Sequence, residues 1–206
     1  MNKTVFYLVF AVMPMFFTAC NENAQISDSE GYLLINENPL IVKAINVENT
    51  SEDIYSANVI TGYQSTDNEW HYLEFSAKYK NGGFELNFPE TISDEYLQRW
   101  SETVLEGVQI SDIQAKIRSV YVEAHNNVES NIGGFSFRSD NCGIGFMYSD
   151  RNFTMNGVSN YSGSDFDCSF KKGWNIVYYL NGGKKQTTQK PKNEIFKCYF
   201  SYNTIE

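Results

Sequence analysis

From position 31 onward, apolar and polar residues alternate in short runs broken by Gly, Asn, Asp and Ser. Residues 31–35 and 40–47 are apolar runs of β type, separated by the turn signal Asn36-Glu37-Asn38-Pro39. Residues 54–61 make a third. In residues 70–79 the period is two: His71, Leu73, Phe75, Ala77 and Tyr79 share one face, and Trp70, Tyr72, Glu74, Ser76 and Lys78 share the other. Asn81-Gly82-Gly83 supplies the positive φ of a hairpin turn. Phe84, Leu86 and Phe88 then alternate with Glu85 and Asn87. One helix is predicted over residues 93–107. Ser93 caps it, Asp94 and Glu95 suit its positive end, Leu97, Trp100 and Val104 recur at helical spacing, and Gly107 stops it. Residues 116–124, 134–138, 143–148, 152–155, 165–170, 173–180 and 195–202 read as further strands, with loops at 181–183 and 184–193.

Many short strands with polar turns predict a mainly β, antiparallel sandwich of immunoglobulin-like or transthyretin-like type with one short helix. A lipocalin-type β-barrel is the alternative, because periodicity does not separate the two. Residues 31–206 are expected to form a single β domain, or two units split near 92–107. Leu73, Phe75, Phe84, Leu86 and Trp174 are the expected core. Trp174, Ile176, Tyr178 and Leu180 lie on one face of their strand with Val177 and Tyr179 on the other, so that strand should be covered on both sides.

The first 30 residues follow a different pattern. Met1-Asn2-Lys3 is a short, positively charged start, and residues 5–17 form an uncharged apolar run of 13 residues. That length suits a signal-peptide core. It falls short of the roughly 20 apolar residues that a membrane-spanning helix needs. The run ends in Phe17-Thr18-Ala19-Cys20, which resembles the lipobox of bacterial lipoproteins; Phe17 stands where Leu is usual. In that family the cysteine thiol receives a diacylglyceryl group, the preceding peptide is cut, and the new amine is acylated. The resemblance implies lipidation at Cys20 and removal of residues 1–19. Residues 20–30 are then the lipidated cysteine and a tether, too polar to offset its own chain entropy by burial. Glu22, Asp28 and Glu30 resemble the acidic stretches that send lipoproteins of Bacteroides-type bacteria to the cell surface; a solvated linker accounts for the same residues.

A second resemblance lies inside the domain. Tyr79-Lys80-Asn81-Gly82-Gly83-Phe84-Glu85-Leu86-Asn87-Phe88-Pro89 is similar to a Tyr-x-Asn-Gly-Gly-Phe-x-Leu-x-(Leu/Phe)-Pro segment of small Bacteroides-group lipoproteins. Ile110-Ser111-Asp112, Ala115-Lys116-Ile117 and the segment from Phe170-Lys171-Lys172-Gly173-Trp174 to Tyr179 resemble them too. These lipoproteins carry no assigned activity. The resemblance implies β character and an outer-membrane location with the domain periplasmic or surface-exposed; it transfers no catalytic residue.

Composition narrows the function classes. The net charge is −9, and loss of Lys3 with the leader leaves −10. An acidic chain has no electrostatic footprint for nucleic acid. Cys142, Cys168 and Cys198 follow Cys20 with no Cys-x-x-Cys spacing, so a redox motif is unsupported. The faces of their strands point Cys168 and Cys198 into the core, as free thiols or, alternatively, as a bridge. His71 and His125 are the only histidines, and they lack partners at metal-ligand spacing. Asp140, Asp150, Asp165 and Asp167 suit turn chemistry better than calcium binding, since the EF-hand spacing is absent. Gly143-Ile144-Gly145 is too short for a phosphate loop. No metal and no cofactor are expected. Aromatic residues make up 16% of the chain, and Trp70 and Tyr72 share the polar face of their strand. As an exposed pair they would stack on a sugar ring or anchor a partner protein; burial under a loop is the alternative. The leading expectation is a non-catalytic envelope binding module for a glycan or envelope protein. A small glycan hydrolase and a structural subunit of a surface assembly are the alternatives.

Overall fold

The computed structural model describes residues 31–64, 70–100 and 105–203. Cys20 and the expected leader and tether lie outside the described residues. The fold is mainly β, in two antiparallel-dominated sheets of 3 and 13 strands.

The small sheet has the order β1-β2-β5: β1 (Tyr32–Glu37), β2 (Leu40–Ile45) and β5 (Phe84–Asn87). Its apolar positions alternate as the sequence predicts, with Leu40, Val42, Ala44, Phe84 and Leu86 buried. The Asn81-Gly82 turn into β5 has φ of 53° and 75°. Gly83 admits no other residue, because a Cβ there would stand 2.2 Å from the carbonyl oxygen of Ala44.

The large sheet begins at the edge strand β4 (Trp70–Lys78), which pairs with β3 (Ser56–Gln64). It continues through β9 (Val122–His125), β10 (Asn131–Arg138), β11 (Cys142–Ser149) and β14 (Gly173–Leu180). It then turns through β15 (Lys185–Thr187), β13 (Asp165–Phe170) and β12 (Phe153–Val158) to β7 (Val108–Ile110). β16 (Lys197–Tyr202) adds to β10, and β8 (Lys116–Val120) joins β11 to β6 (Gln98–Arg99). The β13–β15 pair is parallel.

Two cores result. In the first, the small sheet lies on one face of the large one: Val42, Leu86 and Phe88 meet Val59, Val122, Phe135, Phe137, Phe146 and Phe200. The second lies on the other face, where β12, β13 and β7 roll back over β8, β11 and β14; it holds Ile117, Met147, Phe153, Met155, Phe166, Cys168, Phe170 and Val177. Strand β14 serves both cores, Ile176 and Tyr178 facing the first and Val177 the second.

Three expectations change. The sheet is not a lipocalin-type barrel: its path ends at β4 on one side and β7 on the other, and these do not pair. The helix over 93–107 does not start at Ser93. Asp94–Tyr96 is a single 3-10 turn, Leu97 is extended, and Gln98–Arg99 pairs with β8. Residues 101–104 lie outside the described residues. The backbone at 97–99 gains ladder hydrogen bonds from β8, and Arg118 donates from Nε to the carbonyl of Tyr96. Tertiary pairing outweighs a helix propensity worth only tenths of a kcal/mol per residue. Third, residues 184–193 hold β15, which pairs with strands on both sides. Of the expected core, Phe84 and Leu86 are buried, while Phe75 and Trp174 are partly buried and packed against the first core. Leu73 is half-buried at the sheet edge.

Candidate functional site

A groove of ≈ 740 Å³ lies at one end of the molecule. Its walls are the β1–β2 turn (Glu37, Asn38, Pro39), the segment Phe88-Pro89-Glu90 leaving β5, and the β13–β14 turn with Lys171 and Lys172. Trp174, Ile176 and Tyr178 of β14 line it, with Thr188 and Lys190 beyond β15.

Side-chain hydrogen bonds fix these walls. Trp174 donates from Nε1 to the carbonyl of Pro89 at 2.7 Å, tying the segment after β5 to β14. Asn175 closes the β13–β14 turn: its Oδ1 accepts from the Lys171 amide at 2.8 Å, and its Nδ2 donates to the carbonyls of Lys171 and Gly173. The Lys172 amide donates to Asn152 Oδ1 at 2.7 Å. Gly173 sits at φ 100°, a conformation costly for any residue with a Cβ. The Lys-Lys-Gly sequence is therefore a held turn that presents two ammonium groups.

Three lysines and two glutamates line a groove in a chain where acidic residues outnumber basic ones by 25 to 16. None of Lys171, Lys172 and Lys190 has a carboxylate within ion-pair distance among the described residues. Burial, then the neighbouring charges of Glu37 and Cys142, pushes the Tyr178 hydroxyl up to about 12. It therefore stays a neutral phenol at the groove wall. An apolar floor with amide, hydroxyl and ammonium groups around it suits reversible binding of a polar ligand with anionic groups.

Of the sequence-derived site residues, Cys20 lies outside the described residues. Trp70 is in β4 opposite Gln64, and its side chain lies outside the description. Tyr72 is 59% exposed on the same edge strand, and its carbonyl accepts from the Tyr96 hydroxyl at 3.1 Å. Tyr72 does not line the groove. Lys171, Lys172 and Lys190 were not singled out by sequence as site residues; the doublet reads there only as a turn between strands.

Several other chemistry-bearing residues have structural partners. His125 is 6% exposed, with Nδ1 3.1 Å from the carbonyl of Glu129 and Nε2 3.0 Å from Glu123 Oε2. Asp150 accepts from the Lys116 amide at 2.9 Å and pairs with Arg151. Burial raises its pKa, but the Arg151 guanidinium and the Lys116 amide prevail and hold the carboxyl below the usual range. Gly143 and Gly145 lie beneath the Tyr179 ring of the neighbouring strand. Cys142, Cys168 and Cys198 are buried free thiols. Cys168 belongs to the second core and Cys198 to the first, so the alternative bridge is not formed. Burial pushes the Cys168 thiol up to about 11 and raises that of Cys198 further. No group of three or more His, Cys, Asp or Glu that could hold a metal occurs among the described residues.

Compared with protein-family models, curated proteins and solved structures, the chain matches none.

Proposed function

We propose that this chain is an envelope lipoprotein, anchored in the outer membrane through Cys20, whose β domain binds a glycan or envelope protein in the groove without transforming it. We read the two packed sheets as a sandwich of immunoglobulin-like or transthyretin-like type. The ordered leader, the lipobox-like Phe17-Thr18-Ala19-Cys20 and the similarity to small Bacteroides-group lipoproteins support the anchor.

One observation carries the binding reading. The tether joins the domain at Gly31, before β1, and β1 ends at Glu37 on the groove wall. Six extended residues span about 20 Å. The groove therefore lies at the far end of β1 from Gly31, where the proposed tether attaches. Its free lysines would meet ligands that the acidic remainder of the surface repels.

Two experiments test this. Cys20→Ala should abolish palmitate labelling and release the protein from the membrane fraction; unchanged labelling overturns the anchor. A screen of envelope glycans and proteins against the lipoprotein should yield a ligand whose binding is lost in Ser169→Trp, an exposed groove position. Ligands indifferent to that plug overturn the groove as the site.

A second reading, a glycan hydrolase, rests on Glu37 and Glu90 lining the same groove. Glycosidases use two carboxyls about 5–9 Å apart. Hydrolysis of a bound glycan that disappears in Glu37→Gln and Glu90→Gln would favour it; binding without turnover rejects it.

A further inference from the structure

We infer that the gap where β10 and β11 part is a second binding site, which takes a sugar ring bearing a carboxylate. This inference is independent of the groove.

Strands β10 and β11 form a hairpin but pair only at Phe137↔Ile144 and Arg138↔Gly143. Beyond these pairs they splay, and one continuous stretch of chain fills the fork. Phe135 pairs with Val122 of β9, and Phe146 pairs with Val120 of β8. Tyr121, between the two, belongs to neither strand. Ser136 and Gly145 have ladder partners only on their outer sides, Tyr199 and Val177. The result is a hollow of ≈ 410 Å³ where the ladder lapses.

The side chains around it have a common chemistry. The Tyr179 ring lies over Gly145, where a Cβ would stand 2.8 Å from the ring. Tyr121 is 79% exposed. Tyr121 and Tyr179 both line the hollow; burial, then Tyr121, raises the Tyr179 hydroxyl. Ser119 and Ser136 add exposed hydroxyls. At the rim the Arg138 guanidinium stands 4.4 Å from the centroid of the Tyr199 ring, which holds its plane. It has no carboxylate within ion-pair distance among the described residues, in a chain of net charge −9.

A sugar ring matches this set. Its C–H face stacks on a tyrosine, and its hydroxyls reach the exposed serines. A carboxylate on the ring gives Arg138 a planar, two-point partner. An acyl chain fits less well, since it would cover the hydroxyls of Ser119 and Ser136 without offering them a hydrogen bond.

The test uses the full lipidated chain in detergent micelles, titrated calorimetrically with trigalacturonate, galactotriose and dodecanoate. Trigalacturonate should bind saturably and at least tenfold more tightly than galactotriose. Tyr121→Ala should weaken it at least tenfold with unchanged circular dichroism. Arg138→Gln should bring it down to the level of the neutral trisaccharide. No saturable binding of trigalacturonate, equal binding of the two sugars, or binding of dodecanoate alone overturns the inference. So does trigalacturonate binding that survives Tyr121→Ala and is lost in Ser169→Trp. That outcome moves the ligand into the groove, so it supports the groove reading while refuting this one.

Discussion

The two cores of this protein are held together in different ways. The first joins two sheets that share no strand ladder. Apart from the Glu48↔Tyr199 bridge and single bonds such as Leu33 N–H to the Phe196 carbonyl at 2.9 Å, side-chain packing keeps the small sheet in place. Its contacts are aromatic: Phe88 lies with its ring centroid 5.0 Å from Phe75, 5.1 Å from Phe146 and 4.8 Å from Trp174. The second core lies within a single sheet that curls on itself, so its walls are also joined by backbone hydrogen bonds. It holds the buried methionines Met147 and Met155, with Cys168, around the stacked pair Phe153 and Phe170, 4.6 Å apart. Where a ladder already fixes the walls, adaptable side chains suffice; where only isolated backbone bonds join two layers, interlocking rings do most of the joining.

Phe88→Ala tests this contrast most severely. It removes a ring that touches three others across the sheet interface, and it should cost about 3–5 kcal/mol in denaturant melts. The amides of β1, β2 and β5 should lose protection from hydrogen exchange before those of β11 and β14. Uniform loss across both sheets would mean that the layers are not held by packing alone.

Met155→Ala, at a fully buried position of the second core, should cost about 2–4 kcal/mol. Exchange protection of β12 and β13 should persist, because the ladder remains. Selective exposure of those strands would erase the distinction between the cores.

The smallest effect separates the cores by pH. The Cys168 thiol is raised from its ordinary 9.0 to about 11, so the folded state holds that proton more tightly than the unfolded chain. The stabilisation is fully present below pH 9 and is lost as pH rises towards 11. Cys168→Ala should flatten the fall in stability over that window. A wild-type slope unchanged by the substitution would mean that the alkaline loss comes from elsewhere, Cys198 of the first core being the next group to examine.

The strands of both cores are legible where a single apolar face decides the residue pattern, as in β4, β5 and β13, or where both faces are apolar, as in β14. Pattern reading failed where a strand owes its existence to a distant partner. Residues 185–187 have no apolar alternation, and they are a strand because β13 and β14 flank them. Residues 116–124 read as one strand, but the chain changes partner at Tyr121, and no local signal marks that change. The helix over 93–107 looked sound from its cap and spacing, yet β8 offered its backbone a better arrangement. The sites suffered for the same reason. Trp70 and Tyr72 stood out because they break an alternation within one strand. The lysines of the groove and the tyrosines of the fork come together only through topology.

The position of β15 between β14 and β13 has a consequence for how the chain completes itself. Every buried side chain of the second core precedes residue 178, yet β13 has no ladder partner on its β14 side until residues 185–187 arrive. A chain emerging from its N-terminal end would carry the whole hydrophobic content of that core with its last seam open. A fragment ending at Leu180 should therefore be cut by proteases far faster than the full chain, although it lacks none of the residues that the core buries.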